Sequence, residues 1–182
     1  MKIAILGRGN IGGNLAKKFE NAGHTVFAFG REGGDASAAD VIVVAVPGTS
    51  IRDAFSKVTG YAGKVTIDAT NAYGPREEGY ESLAELVKSI TGGPTAKAFN
   101  TNFAEGIAIS QDEAVPPGTF FAADAEATDI VQQLIRTAGF EPVKVGDLSK
   151  ARLIEDQAPL LFALVEALGV PFYYRYYSPT GR

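Results

Sequence analysis

Six residues near the start of the chain constrain its fold more than any other feature: Gly7-Arg8-Gly9-Asn10-Ile11-Gly12. They follow an apolar, β-branched run at residues 2–6 and lead into a segment with helical periodicity at 11–21. A G-x-G-x-x-G pattern acquires its meaning from that setting of strand, turn and helix. Gly7 permits the tight turn, Gly9 lets backbone approach a pyrophosphate, and Gly12 lets the helix sit close on the strand. Free N–H groups at the helix start and the helix dipole then favour an anionic group. A glycine-rich turn with no ligand is the alternative, and the flanking elements at the expected spacing weigh against it.

The rest of the chain repeats this alternation. Short apolar runs at 2–6, 25–29, 41–46, 64–67, 95–99, 119–123 and 142–145 read as strands, several of them continuously apolar as in strands covered on both faces. Segments at 11–21, 51–58, 82–90, 125–138 and 148–168 read as helices. Gly23, Gly92 and Gly139 fall where left-handed C-caps are needed, and Thr49 or Ser50 is placed to cap the second helix. Strands alternating with helices predict an α/β fold. It is a doubly wound, mostly parallel sheet of the dinucleotide-binding Rossmann type, with a C-terminal helix. Only about ten residues separate the second and third strands, so the helix and strand that usually intervene there are missing.

The chain has 182 residues, which predicts one domain over 1–182, with 147–182 forming the C-terminal helix and an aromatic tail that includes Tyr173 to Tyr177. Such a length buries roughly 70% of the unfolded surface, enough for a core without metal or disulfides. With no cysteine there is no disulfide framework, thiolate zinc site, redox pair or cysteine nucleophile. Seventeen basic against 21 acidic residues lack the excess expected of a phosphate-backbone binder, so nucleic acid is not an expected partner. The apolar run at 2–6 is too short to span a bilayer and no signal peptide pattern follows it, so no membrane partner and a cytoplasmic location are expected.

The end of the second strand decides which dinucleotide fits. An acid there accepts from a ribose 2′-hydroxyl, whereas an arginine accommodates a 2′-phosphate. The sequence reads Phe29-Gly30-Arg31-Glu32, which puts Arg31 in position for charge-assisted bonds to phosphate and favours NADP(H) over NAD(H). Arg8, inside the glycine turn, lies near the phosphates or the adenine ribose. Glu32 is a like charge beside such a phosphate, and Arg31 reads alternatively as a solvated loop residue.

Several motifs taken together resemble the coenzyme F-420-dependent NADP oxidoreductase family. They are residues 7–16, Gly23-His24, Ala45-Val46-Pro47, Asp68-Ala69-Thr70-Asn71, Lys97-Ala98-Phe99-Asn100-Thr101 and the stretch 146–155, so the resemblance covers nearly the whole chain. It implies hydride transfer to or from NADP, with a flavin or deazaflavin as co-substrate. By that resemblance Arg31 matches the arginine of a Ser-Arg pair that holds the 2′-phosphate, while Gly30 replaces the serine and Glu32 replaces a second basic residue. Gly48 stands where a bulky residue follows the Ala-Val-Pro turn, which implies more room near the cofactor. Residues 68–71 and 99–101 are implied to surround the nicotinamide and its ribose.

Ligands of open parallel sheets collect outside the carboxyl ends of strands, and Val46, Pro47, Asn71 and Asn100 all fall there. Asn71 reads equally as turn chemistry in Asn71-Ala72-Tyr73-Gly74-Pro75, and a backbone partner would suffice for Asn100. No acid, base or nucleophile constellation stands out, no metal ligand set is expected, and no catalytic residue is assigned. His24 falls on the amino-terminal edge, where packing or capping is expected of it. Transfer between two stacked rings needs orientation and exclusion of water more than a side-chain acid. The candidate cofactor-binding set is Gly7, Arg8, Gly9, Asn10, Ile11, Gly12, Gly30, Arg31, Val46, Pro47, Asn71 and Asn100. Two other functions remain open: an NADP(H)-binding redox sensor without turnover, and a reductase of a small carbonyl compound. The run at 160–168 is apolar nearly all round and is expected to be buried, in this subunit or in a homodimer whose tyrosine tail trims the neighbour's site.

Overall fold

The computed structural model describes residues 1–169 and 172–176, so Tyr177 and the end of the expected tail lie outside the described residues. Nine strands and seven α-helices appear there. The strands are β1 (Lys2–Leu6), β2 (Thr25–Phe29), β3 (Gly34–Asp35), β4 (Val41–Val44), β5 (Val58–Thr59), β6 (Val65–Asp68), β7 (Thr95–Ala98), β8 (Gly118–Ala123) and β9 (Glu141–Gly146). The helices are α1 (Asn10–Asn21), α2 (Ile51–Ser56), α3 (Leu83–Thr91), α4 (Ala104–Ile109), α5 (Thr128–Thr137), α6 (Ala151–Glu155) and α7 (Ala158–Leu168). Seven strands form one sheet in the order β2-β1-β4-β6-β7-β8-β9, and β3 pairs only with β5.

Alternation along the strands builds two apolar layers. Ile3, Ile5, Val41 and Val43 face α1 and α5 through Leu15, Phe19, Val131 and Leu134. Ala4, Leu6, Ile42 and Val44 face α2 and α3 through Ile51, Phe55, Leu86 and Val87. Each fully buried side chain of this kind contributes about 1.5–3 kcal/mol, so both faces must be covered and the sheet is doubly wound as expected. Gly23, Gly92 and Gly139 all adopt positive φ and stop α1, α3 and α5. The loop between β2 and β4 holds only the two-residue β3, in line with the missing helix and strand.

The sheet is mostly parallel, as expected, and three other sequence expectations need correction. β8 pairs antiparallel with β7, and β9 follows β8 in parallel, so two of the seven strands run against the rest. Strand direction depends on where the connection goes. Residues 99–117 keep to the carboxyl end of the sheet, where α4 hydrogen-bonds to α1 through Asn14 Nδ2 and the Ala104 carbonyl at 2.7 Å. The expected helix 51–58 ends at Ser56, because Val58 and Thr59 pair with β3. Ser50 takes the N-cap position but neither its side chain nor that of Thr49 makes a cap bond; Gly48–Ser50 instead forms a 3-10 turn closed by the Ser50 N–H on the Pro47 carbonyl at 2.8 Å. Last, the expected helix 148–168 is broken into a 3-10 turn, α6 and α7, with a proline in the first turn of α7.

Candidate functional site

The sheet order reverses between β1 and β4, with β2 on one side of the pair and β6 on the other. Ligands of doubly wound sheets bind in the crevice at such a point. Gly7 turns the chain there with φ +109, and a Cβ on it would collide with the Ala45 carbonyl. A Cβ on Gly12 would collide with the Gly7 carbonyl, whereas one on Gly9 would meet only open space. Gly7 and Gly12 therefore serve backbone packing, and Gly9 leaves room beside the start of α1. No side chain caps α1 and its first turn carries no acidic residue, so its leading N–H groups are free for an anion.

Two cavities flank this turn and share Gly9, Ala45, Val46 and Pro47. On the β2 side a cavity of about 430 Å³ is lined by Phe29, Gly30, Arg8, Arg31, Asp53 and Lys57 among others. Arg8 Nη2 lies 2.6 Å from Glu32 Oε1, and Lys57 Nζ lies 2.7 Å from Asp53 Oδ2. The backbone N–H groups of Glu32 and Gly30, with Arg8, hold the Glu32 carboxyl below the usual carboxylate range. Arg31 is exposed and makes no hydrogen bond or ion pair among the described residues.

On the other side a cavity of about 510 Å³ brings Asn10, Ile11 and Pro47 together with Thr70, Asn71 and Asn100. Asn71 Nδ2 donates to the Asn100 carbonyl at 2.8 Å, and Asn100 Nδ2 returns a bond to Asn71 Oδ1 at 2.9 Å. Phe99, just before Asn100, has φ +65, an uncommon conformation for a bulky residue. Strain of this kind costs about 1–3 kcal/mol and is held only where surrounding structure enforces it. Thr70 Oγ1 and Asn100 Oδ1 are buried at this cavity and have no hydrogen-bond partner among the described residues. Such orphaned atoms fit a ligand with polar groups of its own.

Beneath these residues lies a buried charge network. Asp68 and Lys97 are register partners on β6 and β7. Lys97 Nζ donates to Asp68 Oδ2 at 2.8 Å and to the Thr70 carbonyl at 2.6 Å, and it lies 3.1 Å from Glu155 Oε1. Glu155 also accepts from the Leu83 N–H at 2.9 Å and from Arg76 Nε at 2.9 Å. All three ammonium protons are thereby used, and Arg76 Nη2 also meets the half-exposed Asp156 at 2.6 Å, so two cations face three anions.

All twelve sequence-derived residues gather at the two cavities except Gly12, which shapes the turn from beneath. Sequence reasoning missed Tyr73, Phe103 and Phe162 in the larger cavity, as well as the pairing of Arg8 with Glu32. Gly48 does not open extra room, since a Cβ there would lie 2.7 Å from the Asn71 carbonyl and from Leu83. His24 packs at the amino-terminal edge as expected, edge-on to Phe19 and 3.0 Å from the Met1 amino group. Tyr173 and Tyr174 pack on their own chain, against Gly106 and Phe120. No helix among the described residues is long and apolar enough to cross a membrane.

No protein-family model matches the sequence, and no curated protein matches it. Among solved structures, a protein from Arthrobacter sp. FB24, provisionally assigned as an F420-dependent NADP reductase, superposes with a TM-score of 0.85 at 23% identity over 98% of this chain and 100% of that one. A reductive aminase from Aspergillus terreus in complex with NADPH gives 0.67 at 14% identity, covering 92% of this chain and 62% of the aminase. Both likenesses confirm the Rossmann-type fold. With a TM-score of 0.68 and 30% identity over 82% of this chain and 86% of the other, the chain belongs to the same family as the hypothetical protein SMa0349 of Sinorhizobium meliloti.

Proposed function

We propose that this protein is an NADP(H)-dependent oxidoreductase that passes hydride between the nicotinamide and an organic acceptor, a flavin or deazaflavin ring. The observation that carries the reading is the pair of orphaned atoms, Thr70 Oγ1 and Asn100 Oδ1, in a cavity that adjoins the uncapped start of α1. Leaving a buried polar atom unpaired costs about 1–3 kcal/mol, which a ligand amide with both donor and acceptor offsets. The nicotinamide carboxamide is such a group. The F420-dependent NADP reductase assignment of one structural neighbour and the NADPH bound by another support the same reading.

The residues divide the work by position. Backbone N–H groups from Gly9 to Gly12 hold the pyrophosphate, Arg8 and Arg31 face the adenosine end, and Val46 and Pro47 form the divide between the two cavities. When bound, NADPH supplies a hydride, two electrons with one proton, and the acceptor takes its further proton from solvent. Asn71 and Asn100 lock each other and fix the nicotinamide end. Ile11, Phe99, Phe103, Leu161 and Phe162 keep water away from the larger cavity, and among the described residues no charged side chain lines it. A site of that composition works by orientation and dryness rather than by side-chain acid catalysis. A small-carbonyl reductase would need a proton donor, and Tyr73 Oη, 3.4 Å from Asn71 Nδ2, is the phenol in reach.

A second copy of the chain is the occupant we assign to the exposed face of α7. Leu160, Leu164 and Leu168 recur there every fourth residue, and the helix carries a single charge, Glu166.

Thermal unfolding with NADPH, NADH and no ligand at matched millimolar concentrations is the test. Ligand at about 100 times its Kd adds about 2.7 kcal/mol, a rise of several degrees in Tm for a chain of this size. A rise with NADPH, followed by its consumption with a flavin or deazaflavin, is the expected result. Binding with no consumption by any acceptor makes the protein a sensor, and no rise with either dinucleotide ends the oxidoreductase reading.

A further inference from the structure

We propose that Glu32 sets the dinucleotide selectivity of the site: it holds Arg8 in the free protein, accepts a hydrogen bond from the adenosine ribose of NADH, and opposes a 2′-phosphate, so that the protein takes both dinucleotides. The inference rests on the dinucleotide reading of the site.

Glu32 is not on a free loop. The Gly33 N–H bonds the Gly30 carbonyl at 3.2 Å, which closes a turn with Arg31 and Glu32 at its corners. The Gly34 N–H bonds the Lys57 carbonyl at 3.1 Å, and β3 pairs with β5, so the turn is pinned at its base. The carboxylate folds back over the end of β2. There Glu32 Oε1 accepts from the Gly30 N–H at 3.1 Å and meets Arg8 Nη2 at 2.6 Å. This closure requires glycine at position 30, because a Cβ there would lie 2.6 Å from Glu32 Oε2 and collide with the Arg8 guanidinium.

The end of the second strand is where an acid reads a ribose hydroxyl in this type of site. Glu32 reaches that place from two residues further on. It also changes the charge available to a phosphate of nearly two negative charges. Arg8 is matched by Glu32 and Lys57 by Asp53, which leaves Arg31 as the one unmatched charge facing this cavity among the described residues. A 2′-phosphate must take Arg8 from a carboxylate that then stays close by. A hydroxyl has no such conflict.

The test is direct titration of NADPH and NADH into wild type, Glu32→Gln and Arg8→Gln at low salt. Wild type is expected to bind the two with Kd values within about tenfold of each other, and Glu32→Gln to tighten NADPH about tenfold while NADH weakens or stays the same. Arg8→Gln is expected to weaken NADPH more than NADH. Added salt should shrink the Glu32→Gln effect, as it does for exposed charges. An equal change for both ligands in Glu32→Gln, no change, or a wild type that excludes NADH overturns the role of Glu32. Binding of neither dinucleotide by folded wild type sinks the dinucleotide reading itself, and the role of Glu32 with it. Ligand-free Tm values of the two variants should match wild type, since both side chains are more than half exposed.

Discussion

Lys97 Nζ lies 2.8 Å from Asp68 Oδ2 with both side chains wholly buried, on neighbouring strands directly below the larger cavity. A buried ion pair gives little net stability against an apolar replacement, but removing one partner strands the other. Lys97→Ala would leave Asp68 buried without a cation and Glu155 with Arg76 alone. We expect a loss of about 3–5 kcal/mol, a fall in Tm of roughly 10 °C. Lys88→Ala, which removes a half-exposed ammonium from Asp124 and leaves that carboxylate its bond from the Thr95 N–H, should cost under about 1 kcal/mol. Calorimetry of the two variants checks the contrast; equal losses would mean that the buried network does not hold the strand ends.

Arg31 makes the second prediction. It stands free at the turn after β2, so its replacement disturbs nothing in the free protein. Arg31→Ala should weaken NADPH by about tenfold to a hundredfold, the worth of a charge-assisted bond, and leave NADH unchanged. Titration of both ligands reads this directly. Equal loss for both would move Arg31 from the phosphate to general charge attraction.

Much of this site was legible in the sequence because it depends on local rules. Gly7 and Gly12 announce a turn whose close backbone contacts leave no room for a Cβ, and Val46, Asn71 and Asn100 follow apolar runs that had to be strands. Strand direction was not legible, since Thr119 to Ala123 read the same whichever way they run. Nor was the partner of Lys97. Glu155 reaches it from the far end of the chain because α6 returns along the sheet, a path set by packing rather than by local signals. The Arg8–Glu32 pair joins two loops that only the β1–β2 register brings together.

Tyr174 gives a prediction in alkaline solution. Its ring stacks on Phe120 and its hydroxyl meets Thr101 Oγ1 and the Phe120 N–H, while burial pushes its phenol above the usual value of 10.0. The folded protein thus keeps this proton at a pH where the unfolded chain releases it. That contribution is complete below pH 10 and declines as pH rises further. The Tm difference between wild type and Tyr174→Phe should shrink as pH climbs past 10. A constant difference would mean that the phenol titrates alike in both states.

The bare face of α7 supplies the last prediction. Leu160 and Leu168 are each 57% exposed and lie on one stripe with Leu164, while Ala158 and Leu161 turn inward to the larger cavity. A helix with one face against its own site and the other apolar in water gains from covering the second face, at roughly 25 cal/mol per Å² of apolar surface removed from water. With a second copy as occupant, light scattering at micromolar concentration should give the mass of a dimer. Leu160→Glu with Leu168→Glu should give a folded monomer, because neither side chain is part of the core. The dimer would also set Phe162, at the mouth of the cavity, close to the interface, so the double variant should weaken acceptor use while leaving NADPH binding intact. A wild type that stays monomeric removes the second copy from the account and leaves α7 as the wall of its own cavity.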